Sequence, residues 1–87
     1  MARVVLARRA RAELLRLDWI LIDAVEDALG LLERDPHAGY LLRGRLSGLR
    51  SLRVGCYRII YQLTEDDQLV RVAAIRHRET AYRSDPR

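Results

Sequence analysis

The sequence of 87 residues has no lysine and no phenylalanine, a single cysteine (Cys56) and only two histidines. One cysteine excludes an internal disulfide, and two histidines so far apart in sequence provide no metal-ligand cluster. No apolar run approaches the roughly 18 residues of a membrane span, and no signal peptide is recognisable. We therefore expect a single cytoplasmic domain over residues 1–87 that uses no metal or cofactor and contacts no membrane.

The charges are unevenly distributed along the chain. All 16 basic residues are arginine, and the formal net charge is +4. Acidic side chains cluster between Glu13 and Asp35. The stretch from there to Glu65 contains no further acid but holds several arginines, namely Arg43, Arg45, Arg50, Arg53 and Arg58. A basic half favours a polyanionic partner, of which nucleic acid is the commonest, whereas the alternative interpretation is a solvated charged face.

The first half of the chain has the apolar spacing of one strand and two helices. Residues 3–6 are β-branched and aliphatic, and residues 7–17 repeat apolar side chains at helical intervals. A second helix is predicted from Trp19 to Arg34, with Asp18 as its N-cap. So short a connection predicts an antiparallel helical hairpin.

The second half predicts a loop over residues 36–49 and then three strands. We therefore expect an α+β fold of the order β-α-α-β-β-β, in which both helices pack on one face of an antiparallel sheet of about four strands. The other face of that sheet is then left without a helix. Residues 84–87 are expected to fray.

A β-hairpin is predicted around Gly55 and Cys56, because two alternating apolar runs flank a two-residue connection that begins with glycine. The type II′ turn expected there pairs Arg53 directly with Arg58 on one face of the sheet. Like charges in that position are unfavourable, so either the two side chains splay into solvent or an anion binds between them. Both interpretations stay open at this stage.

The last predicted strand, from Leu69 to Ile75, leads into a second group of arginines. If the preceding acidic turn, Glu65-Asp66-Asp67, is a three-residue loop, Arg76 and Arg78 join the face that carries Arg58; a loop of two or four residues reverses that parity. Arginine forks and the Tyr82 ring suit an RNA phosphodiester. Arginine is a poor proton acceptor, however, so His77 is the neighbour with an ordinary pKa suited to proton transfer, and the alternative interpretation is a structural or exposed histidine. Tyr82 or Glu79 could take this part only if their pKa values were shifted.

Two stretches carry a resemblance to a known family. The first is Leu46-Ser-Gly-Leu with Leu-Arg-Val-Gly-Cys-Tyr-Arg-Ile-Ile-Tyr61, and the second is the later His77-Arg-Glu-Thr-Ala-Tyr82. Both stretches resemble the RelE/ParE superfamily of bacterial toxin-antitoxin toxins, on its RelE side. The resemblance implies a metal-independent endonuclease that cleaves mRNA in the ribosome and is held inactive by an antitoxin. It also implies a heterotetramer or larger complex with that antitoxin.

The resemblance also implies which residues act. In the family, the matching positions position RNA, stabilise transition-state charge, act as general acid and stack on a base. They correspond in that order to Arg53, Arg58, Arg78 and Tyr82. Further RNA contacts are predicted for Arg50, Arg76 and His77.

The chain departs from the family pattern on the first hairpin strand. Well-characterised members carry two lysines there, two residues apart, where this sequence has Ser51 and Arg53, so no lysine is available as a general base. Arg50 could replace the charge lost at Ser51, but a regular strand places it on the opposite face. Two alternatives therefore stay open: a ParE-like inhibitor that binds DNA gyrase without chemistry, and a degenerate toxin that retains only antitoxin binding.

Overall fold

The computed structural model describes residues 1–64 and 66–87. Its helices and strands follow one another in the predicted order, with one additional short strand and a single 3₁₀ turn at Gly44–Leu46. The elements are β1 (Arg3–Leu6), α1 (Arg8–Leu15), α2 (Trp19–Arg34), β2 (Tyr40–Leu41), β3 (Arg50–Val54), β4 (Tyr57–Thr64) and β5 (Leu69–His77).

The strands form one five-stranded sheet in the order β1-β5-β4-β3-β2. The pairings between β2 and β5 are antiparallel, whereas β1 lies parallel to β5. The predicted α+β class is confirmed, but the sheet is mixed and has one more strand than expected. The extra strand, Tyr40–Leu41, is only two residues long, so it has no alternating pattern by which the sequence could reveal it.

The two helices cover one face of the sheet, as predicted. The Asp18 side chain accepts a hydrogen bond from the Leu21 backbone N–H at 3.0 Å, which confirms it as the N-cap of α2. Helix α1 is shorter than predicted, because the chain tightens after Leu15 and Leu17 N–H donates to the Leu14 carbonyl at 3.1 Å. The main core between the helices and the sheet includes Val25, Leu32, Ile59, Tyr61, Val70 and Val72.

The other face of the sheet carries no α-helix among the described residues, as expected, but part of it is covered by other segments. Part of it carries a second core, formed by Leu46, Leu49, Ile60, Ala74 and Ala81. The loop before β3 and the segment after β5 supply its outer side chains. The chain end is also held in place rather than frayed, because the Arg87 guanidinium donates to the Ser47 carbonyl at 2.8 Å.

The register between β4 and β5 departs from simple parity. Thr64 pairs with Leu69, so four residues separate the strands, and a four-residue turn was expected to move the β5 arginines to the other face. A β-bulge between Ile60 and Tyr61 restores the parity, because it inserts an extra residue on β5. Of the predicted acidic turn, Glu65 lies outside the described residues.

Candidate functional site

Three arginines lie side by side on the face of the sheet that has no helix. Arg53 on β3 pairs with Arg58 on β4, and Arg58 pairs with Arg76 on β5. We call these three residues the arginine row. The hairpin turn that sets their register is confirmed: Gly55 has a φ of 59°, and Cys56 has no positive φ, as a type II′ turn requires.

Arg58, the central member of the arginine row, is half-buried and poorly satisfied. Its Nε atom is buried and has no hydrogen-bond acceptor among the described residues. Its Nη1 donates to the Tyr57 carbonyl at a long 3.4 Å, and its charge also acts on the Tyr40 hydroxyl. Within residues 1–64 and 66–87, no carboxylate pairs with it. Buried donors are normally paired, so this guanidinium is suited to receive an acceptor from outside the fold.

The two flanking arginines have different environments. The Nε atom of Arg76 lies 3.5 Å from Glu13 Oε2, and its Nη1 donates to the Ser84 carbonyl at 3.2 Å. Arg76 therefore connects the sheet to α1 and to the C-terminal segment. Arg53 is exposed, and its Nε donates to the Gly55 carbonyl at 3.3 Å. In the arginine row, Arg76 is thus partly compensated by Glu13, and Arg53 is exposed to solvent. Arg58 has a buried donor with no acceptor among the described residues.

A chain of three hydroxyl groups lies beside the arginine row. Tyr82 OH is 2.8 Å from Ser51 Oγ and 3.2 Å from Tyr40 OH. Tyr40 pairs with Ser51 across β2 and β3. Ser51 lies two residues before Arg53 on β3, so this pair is on the same face as the arginines. We call Ser51, Tyr82 and Tyr40 the hydroxyl chain. Ser51 is completely buried, whereas Tyr40 is 56% exposed, so the chain leads from the interior of the protein to its surface.

The two tyrosines of the hydroxyl chain have pKa values that move in opposite directions. The pKa of Tyr40 lies below its ordinary value, because the Tyr82 hydroxyl stabilises its phenolate and the Arg58 charge acts in the same direction. The pKa of Tyr82 lies above its ordinary value, chiefly because burial disfavours its phenolate. Tyr40 is therefore the member of the pair that loses its proton first.

Tyr40 is held in place by a close contact behind it. Gly39 N–H donates to Tyr61 OH at 2.9 Å, and Tyr61 OH donates to the Pro36 carbonyl at 2.8 Å. A Cβ atom on Gly39 would lie 2.7 Å from the Tyr61 oxygen, so only glycine allows this approach. Arg50 Nη1 donates to the Gly39 carbonyl at 2.9 Å from the helix-covered face. Arg50, predicted to contact RNA, is thus placed away from the arginine row.

The remaining predicted site residues are separated from one another. The His77 ring packs edge-on against Tyr57 at a centroid distance of 5.5 Å, and Tyr57 belongs to the main core on the helix side. The structure therefore does not bring His77 to Arg58. Arg78 follows β5 and is exposed, and its backbone N–H donates to the Cys56 carbonyl at 2.7 Å. Its side chain is free among the described residues.

Tyr40 is the site residue that sequence reasoning missed. It falls in the stretch predicted to be a loop, and its partner Ser51 comes after the glycine-rich connection. A two-residue strand leaves no periodic signal. The nearest available signal was Gly39 directly before an aromatic residue, which is too common to indicate a site.

Two further observations concern metal ligands and membrane-spanning helices. In the part of the chain that the structure describes, no three His, Cys, Asp or Glu side chains come together as metal ligands. No helix there has the length and apolar character to cross a bilayer. The fold and the site define a small α+β domain with a row of arginines on one sheet face and three hydroxyl groups beside it.

Comparison with known proteins identifies the family. The model of the ParE toxin of type II toxin-antitoxin systems, parDE, matches residues 4–82. The chain belongs to this family and is of the toxin class in such systems. The RelE/ParE resemblance predicted from the hairpin and the terminal motif is confirmed.

Two characterised relatives come from Mycobacterium tuberculosis. Toxin RelE is 35% identical over 85 residues, which covers 95% of this chain and 88% of that protein. Toxin RelG is 38% identical over 65 residues, 74% of this chain and 75% of that protein. Both names are those of RelE-type toxins.

Solved structures agree with the fold. The toxin-antitoxin complex RelBE2 of M. tuberculosis contains a chain that is 35% identical, with a TM-score of 0.77, and the match covers 87% of this chain and 96% of that one. The RelE-RelB complex of Pyrococcus horikoshii matches with a TM-score of 0.74 at 22% identity, covering 92% and 98%. The second likeness shows the fold alone.

Proposed function

We propose that this toxin is an endoribonuclease that cleaves mRNA bound to the ribosome and so inhibits translation. The observation that carries the proposal is the half-buried Arg58, whose Nε donor has no acceptor among the described residues although like charges flank it. A phosphate group is the acceptor that fits such a guanidinium best, because two of its oxygens can accept from the fork at once.

The proposed reaction is an intramolecular transfer of the phosphoryl group from the 5′-oxygen of one nucleotide to the 2′-oxygen of the preceding ribose. The 2′-oxygen of one ribose attacks the neighbouring phosphorus, the bond from phosphorus to the 5′-oxygen of the next nucleotide breaks, and a cyclic phosphate remains. Arg58 stabilises the extra negative charge on the non-bridging oxygens. Arg53, exposed on the adjacent strand, positions the RNA backbone. In this proposal Arg78 protonates the leaving 5′-oxygen, and the Tyr82 ring lies next to a base.

A non-enzymatic gyrase inhibitor is the second candidate function. It is favoured by the description of the matching family model, which names the ParE toxin. The ribonuclease is favoured by the names of the two relatives, Toxin RelE and Toxin RelG. It is also favoured by the presence in one chain of Arg53, Arg58, Arg78 and Tyr82. A degenerate toxin is the third candidate, since Ser51 replaces a residue that the family uses as lysine.

The partner proposed for this toxin is a cognate antitoxin, in a heterotetramer or a larger complex. The structures of similar toxins include complexes with RelB antitoxins. We infer that the antitoxin covers the arginine row and places acidic side chains near it, because an unpaired buried donor and two neighbouring positive charges attract carboxylates. An antitoxin complex in which the row stays open to solvent would contradict this inference.

The test is cleavage of mRNA on programmed ribosomes by the purified toxin, mapped by primer extension. We expect cuts within the codon in the ribosomal A site, and we expect Arg58→Ala to abolish them. Arg34→Ala, an exposed arginine at the end of α2, is the matched control and should cut normally. Growth arrest without cuts would move the proposal to gyrase, and neither effect would leave a degenerate toxin.

A further inference from the structure

The proposed reaction needs a group that removes the proton of the 2′-hydroxyl, and the usual candidates are missing near the arginine row. The sequence contains no lysine. His77 packs against Tyr57 on the opposite face of the sheet. The guanidinium of Arg58 holds its proton too tightly to serve as a base. Lysine, His77 and Arg58 are therefore not the base, and the side chains that remain to be considered are Glu79, in the exposed segment after β5, and the tyrosines of the hydroxyl chain.

We propose that Tyr40 is the general base: its phenolic oxygen accepts the proton of the attacking 2′-hydroxyl, while Tyr82 stays neutral and donates a hydrogen bond to it. This inference rests on the ribonuclease function proposed above. Tyr40 is not among the residues that the family resemblance assigns to catalysis. Its role follows from the geometry of the hydroxyl chain.

The geometry of the hydroxyl chain supports this role, since either oxygen of each pair can be the donor. Tyr82 lies between Ser51 at 2.8 Å and Tyr40 at 3.2 Å. If the buried Ser51 donates to Tyr82 and Tyr82 donates to Tyr40, the Tyr40 oxygen is the accepting end of the chain. Because Tyr40 is 56% exposed, that end is also the one that RNA can reach.

The replacement of a family lysine by Ser51 belongs to the same arrangement. Ser51 is completely buried beneath Tyr82, and its small side chain leaves room for the Tyr82 hydroxyl at hydrogen-bond distance. A lysine ammonium in that place would be desolvated with no carboxylate beside it, which is costly. The serine thus removes one potential base and, through Tyr82, supports the phenolate of another.

The charged and titratable groups around Tyr40 also favour its phenolate. Those that face it are Tyr82 from the segment after β5 and Arg58 from β4, with Ser51 from β3 as a neutral polar neighbour. Both Tyr82 and Arg58 lower the pKa of Tyr40, whereas burial raises that of Tyr82. The environments of the two tyrosines thus separate their pKa values, so that Tyr82 stays neutral and can donate to a Tyr40 phenolate.

The proposed step moves one proton to Tyr40, forms one bond to phosphorus and breaks another. The 2′-oxygen loses its proton to the Tyr40 oxygen and forms a bond to phosphorus. The bond from phosphorus to the 5′-oxygen breaks, and that oxygen receives a proton from the general acid, assigned above to Arg78, or from water. The products are a 2′,3′-cyclic phosphate and a 5′-hydroxyl, and Tyr40 returns its proton to solvent. No metal ion or other reactant is required.

The test compares three proteins under single-turnover conditions on programmed ribosomes: wild type, Tyr40→Phe and Tyr57→Phe. Tyr57 lies on the same sheet but packs in the main core, so its variant controls for the loss of a phenol outside the site. We expect Tyr40→Phe to slow cleavage by about 100-fold or more, which is the usual effect of losing a general base. We expect Tyr57→Phe to cut at the wild-type rate.

The pH dependence distinguishes a base from a merely structural tyrosine. The wild-type cleavage rate should rise with pH as the Tyr40 phenolate becomes populated, and Tyr40→Phe should lose this rise. Ultraviolet titration of the free toxin provides a second readout, since the earliest tyrosine ionisation should disappear in Tyr40→Phe and persist in Tyr57→Phe.

Four results would overturn the inference. Cleavage by Tyr40→Phe at the wild-type rate would exclude a catalytic role, and a slower rate with the wild-type pH dependence would leave Tyr40 only a positioning or stacking role. Persistence of the earliest ionisation in Tyr40→Phe would assign that ionisation to another tyrosine. If the wild-type protein itself makes no cuts, the ribonuclease function fails and this role fails with it, so the two failures are distinguishable.

Discussion

Arg58 and Arg76 lie opposite each other on β4 and β5 because a β-bulge after Ile60 offsets the effect of a four-residue turn. Without the bulge, Arg76 would be on the helix-covered face. Instead it extends the pair formed by Arg53 and Arg58 to a row of three positive charges. Glu13 on α1, within 3.5 Å of Arg76, makes this repulsion tolerable at one end of the row.

The first prediction concerns Arg58→Ala. Removing the middle charge eliminates two like-charge contacts and an unsatisfied donor, so the free energy of unfolding should stay within about 0.5 kcal/mol of wild type or rise. Growth inhibition should nevertheless be lost, because the phosphate has lost its principal partner. Urea denaturation and a growth assay give the two values. A variant that unfolds would mean that Arg58 is structural, and the argument for an anion site would fail.

The second prediction concerns Glu13→Gln. Glu13 Oε1 accepts from the Ile75 backbone N–H at 2.9 Å, and its other oxygen faces Arg76. Glutamine keeps the first acceptor but loses the charge, so we expect a loss of about 1–2 kcal/mol in unfolding free energy. The loss should shrink at high salt, because screening weakens the attraction between Glu13 and Arg76 that only wild type has. Glu26→Gln, an exposed change on α2, is the control. Equal effects of the two changes would contradict a role for Glu13 in compensating the row.

The third prediction concerns Gly39→Ala. The added Cβ would lie 2.7 Å from Tyr61 OH and 2.8 Å from the Ser51 carbonyl, so β2 must move away from β3. We expect a loss of about 1–3 kcal/mol from overpacking, together with reduced cleavage, since Tyr40 moves with β2. Thermal unfolding and the ribosome assay measure the two effects. Gly44→Ala, in open space but at positive φ, tests whether backbone strain alone produces the same result. Normal cleavage by Gly39→Ala would show that the position of β2 is unimportant.

The fourth prediction is an alkaline loss of stability that depends on Tyr61. Burial raises the pKa of Tyr61 above its ordinary value of about 10, so the folded state keeps a proton that the unfolded chain releases. The resulting stabilisation is complete below the unfolded pKa and is lost as pH rises through the folded pKa.

The variant Tyr61→Phe isolates that contribution. It should cost about 1–3 kcal/mol at neutral pH, because Gly39 N–H and the Pro36 carbonyl lose their partner. Above pH of about 10, wild type should lose stability more steeply than the variant. Denaturation curves collected at several pH values decide the matter. Parallel pH profiles for the two proteins would argue against a buried neutral phenol at this position.

Sequence patterns predicted the parts of the fold that are determined locally. Helix α2 begins after its capping Asp18 and ends at Arg34 as expected, and the Gly55 turn fixes the pairing of Arg53 with Arg58. Both features depend on residues within a few positions of one another. The first strand, the two helices and the class of the fold follow from the same short-range signals.

The parts that sequence patterns did not predict depend on distant contacts. Tyr40 meets Ser51 and Tyr82 only after the glycine-rich connection and the segment after β5 fold onto the sheet. The bulge on β5 changes which residues share a face, and no residue typical of a turn or bulge indicates it in the sequence. His77 illustrates the converse, because a suitable ordinary pKa indicated chemistry, whereas packing against Tyr57 placed it on the other side. Its predicted RNA contact and that of Arg50 thus lack support from the geometry.

The segments that carry the hydroxyl chain pack on the second core and should be less stable than the main core. Tyr40 and Tyr82 are supplied by two separate segments that meet over Ser51, and few large side chains hold those segments down. Local opening of these segments costs less than melting the main core. Mild heat or low denaturant should therefore inactivate the toxin while both helices remain folded. A ligand that contacts both segments should therefore raise the temperature at which they open and leave the stability of the main core unchanged.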